Sequence, residues 1–360
     1  VGASVSLDAL YTQKQLGEQY GVAANSISSK YGEMYDVLEP ELDSLFSSFM
    51  EKVAIEPSEP HIVHNKNVSH SGPLSTERAL QEALSQLEGK DFNNIEEINE
   101  FLNSTLDKPE KKKSVPKSKK SQAQELIYEA FEVSGKKRFD LARQALKIDP
   151  NMAEAYNILA EEEDSPVLRL NFYEKAMKIA EKELGGKKFF KENKGYFWGL
   201  LETRPYMRAK ANYALTVQHL GYDMIAVKHF EEMLDLNPMD NQGVRYTLFI
   251  SYLKEKMFKR AKELLEKYPE ETTEGLYNEL LLELMENGYT SSATKLLKEA
   301  LKANRFVMDY VTGEKKLPAT IQDYYSFGSK EEAAFYADSY LELWKEVSGL
   351  KEWVKVGNKR

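Results

Sequence analysis

Two histidines three residues apart, His61 and His64, with His70 further on, have the spacing of candidate metal ligands. A zinc site takes four ligands and a second shell that orients them. The stretch around these histidines, EKVAIEPSEPHIVHNKNVSHSGP, supplies no third strong ligand, and its Pro, Ser and Asn content reads as a solvated loop. The chain has no cysteine, which excludes disulfides, thiolate metal sites and a cysteine nucleophile. No P-loop, GxSxG, HExxH or paired-carboxylate motif stands in a fitting context. The sequence therefore names no catalytic residue, no metal and no cofactor. A second cluster carries binding chemistry. Residues 195–208 read GYFWGLLETRPYMR, where Tyr196, Phe197 and Trp198 run into Glu202 and Arg204. Either Glu202 and Arg204 form a buried bidentate pair over an aromatic core, or the aromatics line a pocket with Arg204 as its anion anchor.

Helices must position these groups. The chain has 360 residues, 42% of them hydrophobic and 30% charged, which fits a soluble, mostly helical protein of two or three domains. Its net charge of −9 gives the whole molecule no attraction to nucleic acid. No run approaches the ~18 apolar residues of a membrane span. The start, VGASVSLDALYTQ, lacks the basic and apolar regions of a signal peptide. The expectation is a cytoplasmic chain that does not enter a membrane.

The organising stretch is Met207–Asp240, MRAKANYALTVQHLGYDMIAVKHFEEMLDLNPMD. Its first helical half ends at Leu220-Gly221-Tyr222. Its second carries Ala226, Phe230 and Met233, and Pro238 stops it. Phe258, Ala261 and Pro269 repeat the pattern, and Gly288-Tyr289 with Ala293 repeats Gly221-Tyr222 with Ala226 sixty-seven residues on. Upstream, Gln122–Phe131, Leu141–Ile148, Met152–Ala160 and Val167–Leu184 read as further helices. This spacing resembles the tetratricopeptide repeat, whose period is about 34 residues. The ETRP of residues 202–205, the DNQGVRY of 240–246, the KKLP of 315–318 and the DYYSFGSKEEA of 323–333 further resemble bacterial tetratricopeptide proteins related to the suppressor of tumorigenicity 7 family. That resemblance covers roughly Ala123 to Trp353. It implies an all-α, tetratricopeptide-type helical-repeat solenoid over 121–360 and a role in protein interaction, and brings no catalytic residues.

Ahead of the solenoid, residues 7–50 resemble the helix-turn-helix of bacterial regulators. Leu16, Gly17, Tyr20, Gly21, Val22 and Ile27 fall where such a motif needs them. Asn25, Ser26, Ser28, Ser29 and Lys30 are its candidate DNA-contacting residues. Against DNA binding, Val1–Met50 holds two lysines and no arginine beside seven acids, and phosphate attraction dominates affinity for DNA. A linker follows over 51–73, then a short helical pair over 75–106, too small to be stable alone and so expected to dock elsewhere. Residues 107–120 form a linker with seven lysines, read as a tether or a non-specific phosphate contact.

In the tetratricopeptide fold, positions 2, 5, 9 and 12 of each first helix face a groove. Here these give the candidate partner-binding residues Arg208, Gln218, Gln242, Arg245, Phe249, Tyr252 and Asn278. The alternative occupant of that groove is an insertion or the chain's own segment Asp323–Trp353. The function read from the sequence is a non-enzymatic scaffold that binds a protein or peptide. The alternative is a DNA-binding regulator, contacting DNA through residues 7–50 and the lysine-rich linker, whose repeats sense a peptide or protein.

Overall fold

The computed structural model describes residues 118–357 except Asp323, together with Glu77, Arg78, Glu97 and Phe101. The stretch 7–50 expected to be a helix-turn-helix module, with Asn25, Ser26, Ser28, Ser29 and Lys30, the stretch 51–73 expected to be a linker, with His61, His64 and His70, and nearly all of residues 75–117 lie outside the described residues. The described chain is all-α, with fourteen α-helices, two short 3-10 turns and no strand among the described residues. None of these helices is long and apolar enough to cross a membrane. The chain divides into two compact units. Described residues of the first lie within 46–220 and 228–244, and those of the second within 221–227 and 245–360.

The first unit holds α1 (Lys119–Phe131), α2 (Lys136–Ile148), α3 (Ala153–Glu162), α4 (Pro166–Leu184), α5 (Lys187–Glu192), α6 (Arg204–His219) and most of α7 (Asp223–Leu236). Short turns leave consecutive helices no choice but to pack side by side. Accordingly α1 packs on α2, α2 on α3 and α3 on α4, while α6 packs on α3 and α4. The boundaries are local chemistry. The Ser118 hydroxyl accepts the Ser121 N–H to start α1. Ser165 caps α4 ahead of Pro166, whose missing N–H costs nothing in a first turn. Gly185 then ends α4 in the left-handed region at φ 97°. Ala123, Ala142, Ala145, Ala155 and Ala176 are fully buried, so backbones approach closely where helices cross. Between them Ile127, Ile158 and Leu170 fill the core, each contributing about 1.5–3 kcal/mol by burial.

The second unit holds α8 (Val244–Lys254), α9 (Phe258–Lys267), α10 (Thr273–Asn287), α11 (Ser291–Ala303), α12 (Val307–Val311), α13 (Lys330–Lys345) and α14 (Leu350–Gly357). Thr272, Thr290 and Ser329 cap α10, α11 and α13 by one device, each hydroxyl accepting an N–H three residues on. Ala226, Ala261 and Ala293, aligned by the sequence pattern, are all fully buried. Gly221 and Gly288, also aligned, both take positive φ, 83° and 72°. A Cβ on Gly275 would stand 2.5 Å from the Glu270 carbonyl oxygen, so only glycine lets the start of α10 pass there. Along α13, Tyr336, Tyr340 and Trp344 recur every fourth residue and share one face. That face is buried and packs on α10, with the Tyr277 ring 5.5 Å from Tyr336 and 6.4 Å from Trp344.

Candidate functional site

The ETRP stretch builds the start of α6 and aims two arginines. Thr203 Oγ1 donates to the carbonyls of Phe197 and Leu200, which folds residues 197–203 back under the helix. Pro205 lies in the first turn of α6, and its carbonyl accepts Asn157 Nδ2 from α3 at 3.0 Å. Arg204 Nε donates to the Trp198 carbonyl at 3.1 Å, with the guanidinium 5.1 Å from the Trp198 ring centroid. Arg208, one turn on, lies on the same face. Both converge on Glu77, with Arg204 Nη1 and Arg208 Nη1 each 2.9 Å from its Oε1 and Arg208 Nη2 3.3 Å from its Oε2. Arg208 also grips Glu154 of α3 bidentately, two contacts of 3.0 Å.

This network is withdrawn from water. The side chains of Arg208 and Glu154 are 10% and 5% exposed. Burial alone would push the Arg208 pKa down, but Glu154 and Glu77 outweigh it and the net shift is upward. Beside Glu77, Arg78 reaches α1, 3.2 Å from Glu125 and 3.5 Å from Glu132, with its guanidinium 5.8 Å from the Tyr128 ring centroid. Burial, then Glu77 and Glu125, raises the Tyr128 pKa. The helices α1, α3 and α6 thus share a polar face on which two residues of the segment 75–106 are seated.

Several expectations change here. Glu202 is exposed, and the carboxylate on Arg204 is Glu77, because the turn at 201–203 carries Glu202 outward. Tyr196, expected in the core, is 75% exposed, whereas Phe197 is fully buried and packs edge-on against Phe190 at 4.8 Å. Gln218 is buried on α6, and Gln242 donates to the Met207 carbonyl at 3.5 Å. In the second unit Arg245 pairs with Glu270 and lies 4.2 Å from the Tyr246 ring centroid. Phe249 and Asn278 are not open to a partner, because α13 covers them. Asn278 exchanges 3.2 Å hydrogen bonds with Tyr336 and Tyr340, and the Phe249 ring lies 6.5 Å from that of Tyr340. Tyr252 is buried as well. The occupant at Phe249 and Asn278 is α13, which lies in the stretch 323–353 that the sequence offered as the alternative, and the spacing of Tyr336, Tyr340 and Trp344 is a signal by which it could have been found.

Among the described residues of the first unit, another titratable cluster centres on Lys210. Lys210 is buried on α6, with its Nζ 3.1 Å from His229 Nδ1 and in an ion pair with Glu232. Burial lowers the pKa of both Lys210 and His229, and for His229 the charges of Lys210 and Lys228 push in the same direction. Lys210→Met is therefore expected to raise the His229 pKa, while burial keeps it below the ordinary value. Proton NMR of the ring Cε1–H against pH reads this, and an unmoved titration would show that Lys210 carries no charge in the fold. Among the described residues no group of three or more His, Cys, Asp or Glu side chains could hold a metal. No protein-family model matches the chain, and no curated protein matches it.

Proposed function

We propose that this chain is a non-enzymatic helical-repeat scaffold of the tetratricopeptide type, related to the suppressor of tumorigenicity 7 family, that binds an acidic segment of a protein partner on the face shared by α1, α3 and α6. One observation carries the reading. Arg204 and Arg208 already hold a carboxylate, Glu77, from a segment more than a hundred residues away in sequence. Two guanidinium groups on one helix face make a planar, bidentate receptor for carboxylate. The recurrence of buried Ala226, Ala261 and Ala293, and the glycine turns at Gly221 and Gly288, support the repeat assignment.

The test uses a fluorescent glutamate-rich peptide titrated against the full chain. Glu77→Ala vacates the arginine pair and is expected to tighten peptide binding by about tenfold, the equivalent of about 1.4 kcal/mol. Adding Arg204→Met to that variant should undo the gain. A peptide that binds Glu77→Ala no better than the parent protein would exclude this face as the receptor.

A further inference from the structure

The second unit carries an exposed patch of a different kind, built around Phe306 in the turn between α11 and α12. Three cations surround its ring. Arg305, Lys330 and Lys315 lie 5.0, 5.5 and 5.8 Å from its centroid. Gathering like charges costs free energy unless anions neutralise them. Lys315 has Asp309 at 2.5 Å. Arg305 and Lys330, together with Lys316 beside the cluster in sequence, have no carboxylate partner among the described residues. The segment leading into α13 closes on the same place. Asn304 Nδ2 donates to the Ser329 carbonyl at 2.8 Å, and the Glu332 carboxylate accepts the Gly328 N–H at 2.7 Å. That anchored segment holds Tyr324 and Phe327 out into solvent at 79% and 87% exposure. Arg305 and Phe306 also border a cleft of about 490 Å³, lined by Leu301, Met308 and Val354, with Lys351 and Lys355 at its edge 3.9 and 3.5 Å from Glu314.

Unneutralised cations beside exposed aromatic rings are the two elements of single-strand recognition, since phosphates pair with the cations and bases stack on the rings. A duplex keeps its bases stacked inside and would leave Tyr324 and Phe327 without a role. An acidic peptide would satisfy the cations and offer the rings no planar partner. We propose that this surface binds single-stranded nucleic acid, with Arg305, Lys316 and Lys330 on the phosphates and Tyr324 and Phe327 as stacking platforms. The cleft beside Phe306 has room for an unstacked base. The surface belongs to the second unit and the carboxylate-receiving face to the first, and neither reading depends on the other.

Fluorescence anisotropy of the full chain with a labelled ten-nucleotide oligothymidine tests the assignment. Binding should weaken with salt, the logarithm of the association constant falling with a slope of about −0.7 per phosphate contacted. Three contacts then give a slope of about −2. Phe327→Ala and Tyr324→Ala should each weaken binding by about tenfold, within the range of losing one stacked base. Lys330→Glu should weaken it further and flatten the salt slope. Tyr324 and Phe327 are exposed, so unchanged helicity by circular dichroism is expected for both variants and separates lost binding from lost fold. Three results would each overturn the proposal. These are no binding at low salt, equal affinity for a duplex of the same length, and affinity unchanged by all three substitutions, which would put any binding elsewhere on the chain. Full displacement of the oligonucleotide by polyglutamate at equal charge would assign the surface to an acidic protein instead.

Discussion

Arg208→Ala is expected to destabilise the first unit by about 3–5 kcal/mol, the usual consequence of stripping the partner from a buried charge. The stranded group is Glu154. Glu77 keeps Arg204 at 2.9 Å, whereas the two 3.0 Å contacts to Glu154 both come from Arg208. Glu154 sits on α3 with its side chain 5% exposed, so water cannot replace the guanidinium without opening the α3–α6 contact. Urea denaturation followed by circular dichroism gives the loss. Adding Glu154→Gln should recover a large part of it, because an amide tolerates that site without a counter-charge. Arg208→Lys should recover less, since an ammonium cannot hold two carboxylates with a planar fork. A loss under about 1 kcal/mol for Arg208→Ala would mean that Glu154 finds solvent, and the site would then not be a closed one.

The second large effect is a pH dependence in the second unit. Glu274 at the start of α10 accepts a 2.6 Å hydrogen bond from Tyr340 of α13. Burial is the main cause that lifts its pKa from 4.5 to about 7, with Glu270 and Glu332 adding to the rise and Tyr340 and Arg245 opposing it. The folded state therefore holds a proton on Glu274 at pH values where the unfolded chain has released it. Its contribution to stability is complete below about pH 4.5 and is lost as pH rises through about 7. A shift of this size corresponds to about 3 kcal/mol. Glu274→Gln copies the shape of the protonated acid and still accepts from Tyr340. It should be more stable than the parent at pH 8 and close to it at pH 4.5, with hydrogen exchange along α13 reporting the difference. Burial also raises the pKa of Asp223, in the same unit, so the contrast between parent and variant isolates Glu274. Parallel stability curves for the two would refute its role.

Much of the helical frame was legible in the sequence. The alanines at 226, 261 and 293, the glycines at 221 and 288 and the stop at Pro238 mark helix crossings and ends through interactions that reach a few residues. The structure places helices accordingly at Asp223–Leu236, Phe258–Lys267 and Ser291–Ala303. The ETRP motif also stood out, but its partner did not. Glu202 was two residues from Arg204 and Glu77 lies 127 away, and nothing in a local pattern ranks the distant carboxylate first. Two groove positions of the second unit, Phe249 and Asn278, are covered for a related reason. Phe249 and Asn278 do occupy one helix face each, yet the Tyr336–Tyr340–Trp344 stripe of α13 had to be buried too. An aromatic face of that size loses more by staying in water than an open groove gains.

By itself, then, the sequence determined where several of the helices cross and end, because small residues and left-handed glycines act within about one turn of where they stand. It also determined that arginine and aromatics would meet near residue 204. Only the tertiary structure decided which carboxylate that arginine holds and which candidate binding residues are sealed beneath α13. Those outcomes turn on desolvation, which is a property of what finally packs against a group and is not written in its neighbours along the chain.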